Sequence, residues 1–289
     1  MHTRATAAAL LLALAWPAQA AKPTEVDWLT VHLPPHSIRS ELPGEREWSL
    51  KGYGDQGVDW FIARLPEYRI RRVPAPPARA AVELARTDRT SCLSGARYTA
   101  ARAAMAYGSA PAFHGPPNRV MARADAAGRL LPHLDANGAL RFERLAQDEG
   151  LRGALTRDRA YGDVVNQAAA GSRSIYLVPE AVSPLRMLFL GRVDWVVAAP
   201  HELTWHRRIS PTPLPATRSF AIAGHEAQTV GHIWCSKTPT GKRLIERIDA
   251  LMRAHPQRPW EAQLPLWLDA DEQAERLRQM ERSGALPRS

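Results

Sequence analysis

The sequence predicts an α/β protein built as two lobes, each a mostly parallel sheet flanked by helices. Three observations predict it. Between Val26 and Ser94, short apolar runs that read as strands alternate with helically spaced segments, an order that makes parallel neighbours. A second alternation of the same kind starts beyond Gly115-Pro116-Pro117. Removing an N-terminal leader of 20 residues from the 289 leaves about 269, which favours two compact lobes over a single core.

The leader comes first in the chain. A basic start (His2, Arg4) precedes an apolar run from Ala7 to Trp16, then Pro17 and the small-residue pattern Ala18-Gln19-Ala20. This is the pattern of a secretory signal peptide cleaved after Ala20. The run is too short to span a bilayer, and no other segment reaches the ~18 apolar residues a span requires. A soluble, exported, periplasmic protein is expected.

Val26–Leu33 reads as the opening strand, stopped by Pro34-Pro35. Val58–Leu65 carries helical spacing and ends at Pro66. Tyr68–Val73 is a second strand, Ala78–Arg86 a helix entered through Pro76-Pro77, and Thr90–Ser94 a third strand. In the second alternation, Asn118–Ala124, Gly153–Thr156, Ser174–Val178 and Val193–Ala198 read as strands. Leu140–Asp148, the segment from Gly162 to about Ala169, and Pro184–Leu190 read as helices. Ser219–Ala223 is extended and Val230–Cys235 is a strand. Gly241–Ala254 is an amphipathic helix with Leu244, Ile245, Ile248, Leu251 and Met252 on one face. A charged helix from Ala270 to Arg282 closes the chain.

The 38 Lys and Arg exceed the 29 Asp and Glu, for a formal charge of +9. The arginines are scattered rather than interleaved with aromatics, and export argues against a genomic partner, so no nucleic-acid role is expected. A basic surface suits anionic ligands or envelope surfaces, though a bias of base composition toward Arg explains it equally. The two cysteines, Cys92 and Cys235, both survive processing into an oxidising compartment. A bridge and two buried thiols are both open on the residues alone, with export favouring the bridge.

The segment Thr90–Phe113 carries the strongest functional signal. After Ser94-Gly95, Thr99 stands where a helix starts, and Arg102 follows three residues later. A Thr cap leaves outward-facing N–H groups beside that guanidinium, a cradle for a carboxylate or another small anion. A solvated helix start with the same residues is the plain alternative. Other motifs fail their own requirements. Gly52-Tyr53-Gly54-Asp55-Gln56-Gly57 matches a dinucleotide fingerprint in letters, but lacks the strand before it and the acidic residue after it. A turn feeding a helix is expected there. His201 and His206 stand five apart, so on a helix they diverge by about 140° and do not form a zinc pair. No metal site and no cofactor is expected.

With these segments placed, the chain resembles a type 2 periplasmic solute-binding protein. It is similar to the polar amino-acid (family 3) branch that serves ABC transporters, and within it to a secreted subgroup. WLTVHLPPHSI, KGYGDQGVDWFIARLPEY, SCLSGARYTAAR, GRVDWVVA and CSKTPTGKRLIERID carry the likeness, in family order, over roughly Val26 to Ala254. The resemblance implies a first lobe from residues 26–113 plus 229–289, a second from 118–224, and hinges near 114–117 and 225–228. It places both cysteines in one lobe, which supports a Cys92–Cys235 disulfide.

The resemblance also implies the site. A Gly-x-Ser/Thr segment and a following Arg hold the ligand carboxylate in amino-acid binders of this family. Gly95 and Arg102 occupy those positions here, with Arg97 where a hydroxyl residue usually stands, and Thr99, the cap of the same helix, is the further candidate contact. Tyr161 and Gly162 match the helix start of the second lobe, and Leu33 the position of a stacking aromatic. The Asp that usually meets the ligand ammonium falls at Ala199, so an anionic or carboxylate-bearing ligand is expected above an ordinary amino acid. The expected function is therefore capture of a small molecule between two lobes by a monomer, for an ABC permease or a membrane sensor, without catalysis. The alternatives are a small-acid dehydratase using Glu202 or Asp55, and an accessory envelope protein with a vestigial cleft.

Overall fold

The computed structural model describes residues 23–38, 51–179 and 182–282, and the expected signal peptide at 1–20 lies outside them. Two sheets result from the two alternations. The first begins with β1 (Thr24–Thr30), α1 (Tyr53–Ile62), β2 (Tyr68–Pro74), α2 (Pro77–Ala85) and β3 (Ser91–Ala96). It continues through α3 (Ala100–Met105), β4 (Ala106–Gly108) and β5 (Phe113–Gly115). The second contains β6 (Arg119–Arg123), a 3-10 turn (Ala127–His133), α4 (Phe142–Gln147), β7 (Gly153–Thr156) and α5 (Asp163–Ala169). It is completed by β8 (Ile175–Val178), α6 (Pro184–Phe189), β9 (Trp195–Ala198), α7 (Pro200–Ile209) and β10 (Thr217–Phe220). The chain then returns to the first sheet through β11 (Thr229–Ser236) and α8 (Pro239–Ala254). It ends in 3-10 turns Pro259–Glu261 and Leu264–Trp267 and in α9 (Ala270–Arg282).

Strand order is β2-β1-β3-β11-β4 in the first sheet, with β5 also on β11, and β10-β6-β9-β7-β8 in the second. The parallel expectation holds for β2-β1-β3 and for β9-β7-β8. The remaining pairings are antiparallel, because β11 and β6, which follow the two crossings, run against the β-α-β core, and β4, β5 and β10 pair with them. Outgoing β5 and returning β11 are hydrogen-bonded to each other, pairing His114 with Val230. The two crossings thus lie side by side.

Burial on both faces explains the apolar runs of the strands. In β9, Trp195 and Val197 enter the core around Leu145, Leu155 and Val165, while Val196 and Ala198 pack against Leu185 and Leu188 on the other face. In β1, Trp28 meets Phe61, Ile233 and Ile248, whereas the alternate Leu29 packs with Ala75 and Ala80. Helix α8 buries Leu244, Ile245, Ile248 and Met252, as its periodicity predicts, and the Thr238 hydroxyl caps it by accepting from Gly241 N at 2.9 Å.

Two departures have local causes. Helix α1 starts at Tyr53, five residues before the expected Val58, because the glycine-rich segment is itself the helix start. Gly54 N donates to the His36 carbonyl at 2.8 Å, and Asp55 turns back to accept from Gly52 N at 3.3 Å. Strands β4 and β5, three residues each, and helix α7 have no counterpart in the sequence reading. Cys92 and Cys235 face one another on β3 and β11 and form a disulfide across 143 positions. Closing so long a loop stabilises by about 4–5 kcal/mol in the chain-entropy picture. The double variant Cys92→Ala, Cys235→Ala is expected to lower the unfolding free energy from urea titration by an amount approaching that value, with native circular dichroism retained.

Candidate functional site

The C-terminal end of β3 forms the first wall. Gly95 holds φ at +75°, and a Cβ there would lie 2.2 Å from Nε2 of His36, so both backbone and space demand glycine. Arg97 then extends from this turn. Its Nη1 donates to the Glu226 carboxylate at 2.9 Å and its Nη2 to the Thr229 hydroxyl at 2.9 Å. Burial lowers the Arg97 pKa below the usual guanidinium range, and Glu226 opposes that shift. Thr99 caps α3 as expected, accepting from Arg102 N at 3.1 Å. The Arg102 side chain takes a different course from the one its motif implies. Its Nη1 donates to the Arg97 carbonyl and its guanidinium lies over the Trp234 ring, 5.8 Å from the centroid.

The second wall is the start of α5 and of α7. Gly162, with φ at +109°, caps α5, and a Cβ there would lie 2.7 Å from the His225 ring and 2.8 Å from Glu226 Oε2. The Glu226 carboxylate is thereby wedged between Arg97 of one lobe and Gly162 of the other. Tyr161 is 2% exposed and serves its own lobe: its hydroxyl accepts from Thr156 N at 2.9 Å and its carbonyl from Asn118 Nδ2 at 3.0 Å. Arg159 grips Glu202 through two bonds of 2.8 and 2.5 Å, and its guanidinium lies 4.8 Å from the Tyr161 ring centroid. Burial works against the charge of Arg159, but Glu202 beside it holds its pKa above the ordinary range. Burial likewise disfavours the Glu202 carboxylate, and Arg159 more than compensates, leaving its pKa lowered.

Between the walls the rings of three residues meet. Tyr53 stands edge-on to His36 at 5.0 Å and to His201 at 5.8 Å. All three are buried, and His36 Nε2 and His201 Nδ1 have no hydrogen-bond partner among the described residues. Burial lowers both imidazole pKa values to about 4, so both rings are neutral at physiological pH. Leu33 is 36% exposed and, with His36, Ser37, Asp55 and Arg72, lines a cavity of about 30 Å³, room for a water molecule.

No family model matches the chain, and no curated protein matches its sequence. Solved structures do match. An ancestral arginine-binding protein bound to arginine superposes with a TM-score of 0.60 at 14% identity, covering 86% of this chain and 99% of that one. The probable amino-acid ABC transporter extracellular-binding protein ytmK from Bacillus subtilis gives 0.59 at 15%, covering 86% and 100%. Holo ArgBP from T. maritima gives 0.56 at 14%, covering 85% and 96%. The chain has the type 2 periplasmic binding protein fold. Its two mixed sheets are joined by two crossings, and among the described residues no helix is long and apolar enough to cross a membrane.

Within this fold, some of the expected residues lie together and others apart. Gly162 lies beside Glu226, the partner of Arg97, and Gly95 belongs to the same turn as Arg97, whereas Arg102 donates to the Arg97 carbonyl and the Tyr161 hydroxyl accepts from Thr156 N. Sequence reasoning missed Tyr53, His201, His225 and Glu226. Glu226 sits 129 positions from Arg97 in a segment without a motif, so only the path of the second crossing could reveal it. The Asp expected at Ala199 has a structural successor. Glu202, in the first turn of α7, folds its carboxylate back to accept from Ala199 N at 3.0 Å, returning an acid to the same helix start.

Two outcomes follow from this electrostatic layout. Glu202→Ala leaves Arg159 buried without its partner, and a loss of about 3 kcal/mol is expected in urea unfolding at unchanged slope. Between pH 6.5 and 4 the unfolded chain binds protons that buried His36, His201 and His206 refuse, since each is lowered to about 4. Stability is therefore full above pH 6.5 and falls as pH drops toward 4, by up to ~1.4 kcal/mol per pH unit for each ring. Thermal melts across that range should show the decline, with a shallower slope for His201→Gln.

Proposed function

We propose that this chain is an exported, periplasmic solute-binding protein whose lobes, residues 26–113 with 229–289 and residues 118–224, close on a small carboxylate-bearing ligand. Movement would centre on 114–117 and 225–228. The observation that carries the reading is Arg97, a guanidinium set between the lobes and held by Glu226 against Gly162. A ligand carboxylate would bind Arg97 beside or in place of Glu226, a charge-assisted contact. Arg102, through its bond to the Arg97 carbonyl, acts as a positioning residue rather than the anchor its motif suggests. Gly95 and Thr99 shape the same turn.

Glu202 and Glu226 neutralise the crevice arginines and supply acids that could meet a ligand ammonium. An amino acid therefore suits the crevice alongside the purely anionic ligand expected from Ala199, and the arginine-binding neighbours make L-arginine the first probe. An enzymatic role on this scaffold would need a carboxylate free to move protons. Asp55 is held by the Ser37 hydroxyl at 2.8 Å and Ile38 N at 2.9 Å, and Glu202 by Arg159, which supports binding over catalysis. A closed form would be read by an ABC permease or a membrane sensor.

A thermal-shift screen of the mature protein against L-arginine, other amino acids, organic acids and phosphate esters tests the reading. A stabilising ligand is expected, bound 10- to 100-fold more weakly by Arg97→Ala and less affected by Arg102→Ala. Wild-type affinity in Arg97→Ala would remove this residue from the site, and consumption of the added acid would favour an enzyme.

A further inference from the structure

The last described segment, residues 259–282, touches both lobes and the crossing between them. On the first lobe, Trp260 packs against Trp60 and Phe61 of α1 with centroids 5.2 and 5.1 Å apart. At the crossing, Trp260 Nε1 donates to the Ala112 carbonyl at 2.6 Å. Glu261, 1% exposed, accepts from the backbone N of His114 at 2.6 Å and pairs with its Nδ1 at 2.9 Å. Arg276 of α9 completes this cluster, donating to Glu261 at 2.8 Å and to the His114 carbonyl at 3.3 Å. On the second lobe, the Trp267 ring lies 5.7 Å from Trp205 of α7, under the Arg208 guanidinium at 4.5 Å, while Arg208 also donates to the Leu266 carbonyl. One buried cluster joins the three parts: Ile38 and Tyr53 from the first lobe, Trp205 from the second, and Leu264, Trp267 and Leu268 from the segment itself.

We propose that residues 259–282 form a strap across the hinge whose grip on α7 sets how far the crevice opens. The two ends of the strap differ in strength. At the crossing, a buried carboxylate is shared by a backbone amide, an imidazole and a guanidinium, and removing any partner strands a buried charge. At α7 the grip is apolar, Trp205 and Ile209 against Leu264, Trp267 and Leu268, with one exposed arginine over the Trp267 ring; it holds no buried ionic pair. When the lobes part, the strap stays with the first lobe and releases Trp205 and Arg208. Tyr53 belongs to the strap cluster and also touches His201, so release of α7 uncovers the crevice on that side. The strap thus governs the lobe equilibrium whatever ligand the crevice takes, and the proposal stands apart from the assignment of Arg97.

Pulsed electron paramagnetic resonance on the full mature chain tests it. Spin labels at Glu143→Cys of α4 and Lys242→Cys of α8, both exposed, report the interlobe distance, because the native cysteines are already paired. Trp267→Ala and, as a milder change on the surface, Arg208→Ala are each expected to shift the distance distribution longer and broaden it. Far-UV circular dichroism should stay native in Arg208→Ala. Glu261→Gln is expected to speed hydrogen exchange at the β5 amides first. Distance distributions that match the unsubstituted strap in both α7-side variants would overturn the proposal. Loss of native secondary structure in Arg208→Ala would overturn it as well, since the segment would then be core rather than a releasable strap.

Discussion

A guanidinium set between two lobes needs a carboxylate, and that need organises this crevice. Arg97 loses solvent where β3 meets the returning crossing, so its charge is tolerable only with an acid in reach. Glu226 supplies it from the crossing itself and rests against Gly162 at the start of α5. The turn that presents Arg97 has its own requirements: glycine at 95 to clear His36, the Thr99 cap on α3, and Arg102 bonded to the Arg97 carbonyl. Each of these residues has its place because of where that one charge must stand.

The second wall repeats the solution with Arg159 and Glu202, and the buried His36 and His201 rings nearby carry no charge near neutral pH. Neutral imidazoles beside two internally paired arginines make a crevice of balanced charge despite a chain that is strongly basic overall. On the proposed binding role, selection would be set by exchange of partners: a ligand acid would compete with Glu226, and a ligand cation would draw on the same carboxylates.

The fold was legible where burial on two faces writes a continuous apolar run, as in VDWVVA, or where one helical face repeats, as in Leu244, Ile248 and Met252. It was illegible where pairing rather than pattern makes the element. Strands β4 and β5 have three residues each and exist because β11 offers them partners. Helix α7 begins at Pro200 and shows a polar face, so its letters read as loop or as a failed metal motif until Trp205 and His201 are seen packed inward. The site divides in the same way. The Gly95 turn and the Thr99 cap are local chemistry and could be read. Whether Arg97 or Arg102 turns toward the other lobe depends on Trp234 and Glu226, contributed from more than 100 positions away, and no local motif encodes that choice.

The most direct test of this account is a crystal structure of the mature protein with the best stabilising carboxylate from the ligand screen. The account predicts density for that carboxylate between the lobes, within hydrogen-bond reach of the Arg97 guanidinium and close to Gly162. Density for it anywhere outside the crevice, or inside the crevice with Arg97 still bonded only to Glu226 and Thr229, would contradict it.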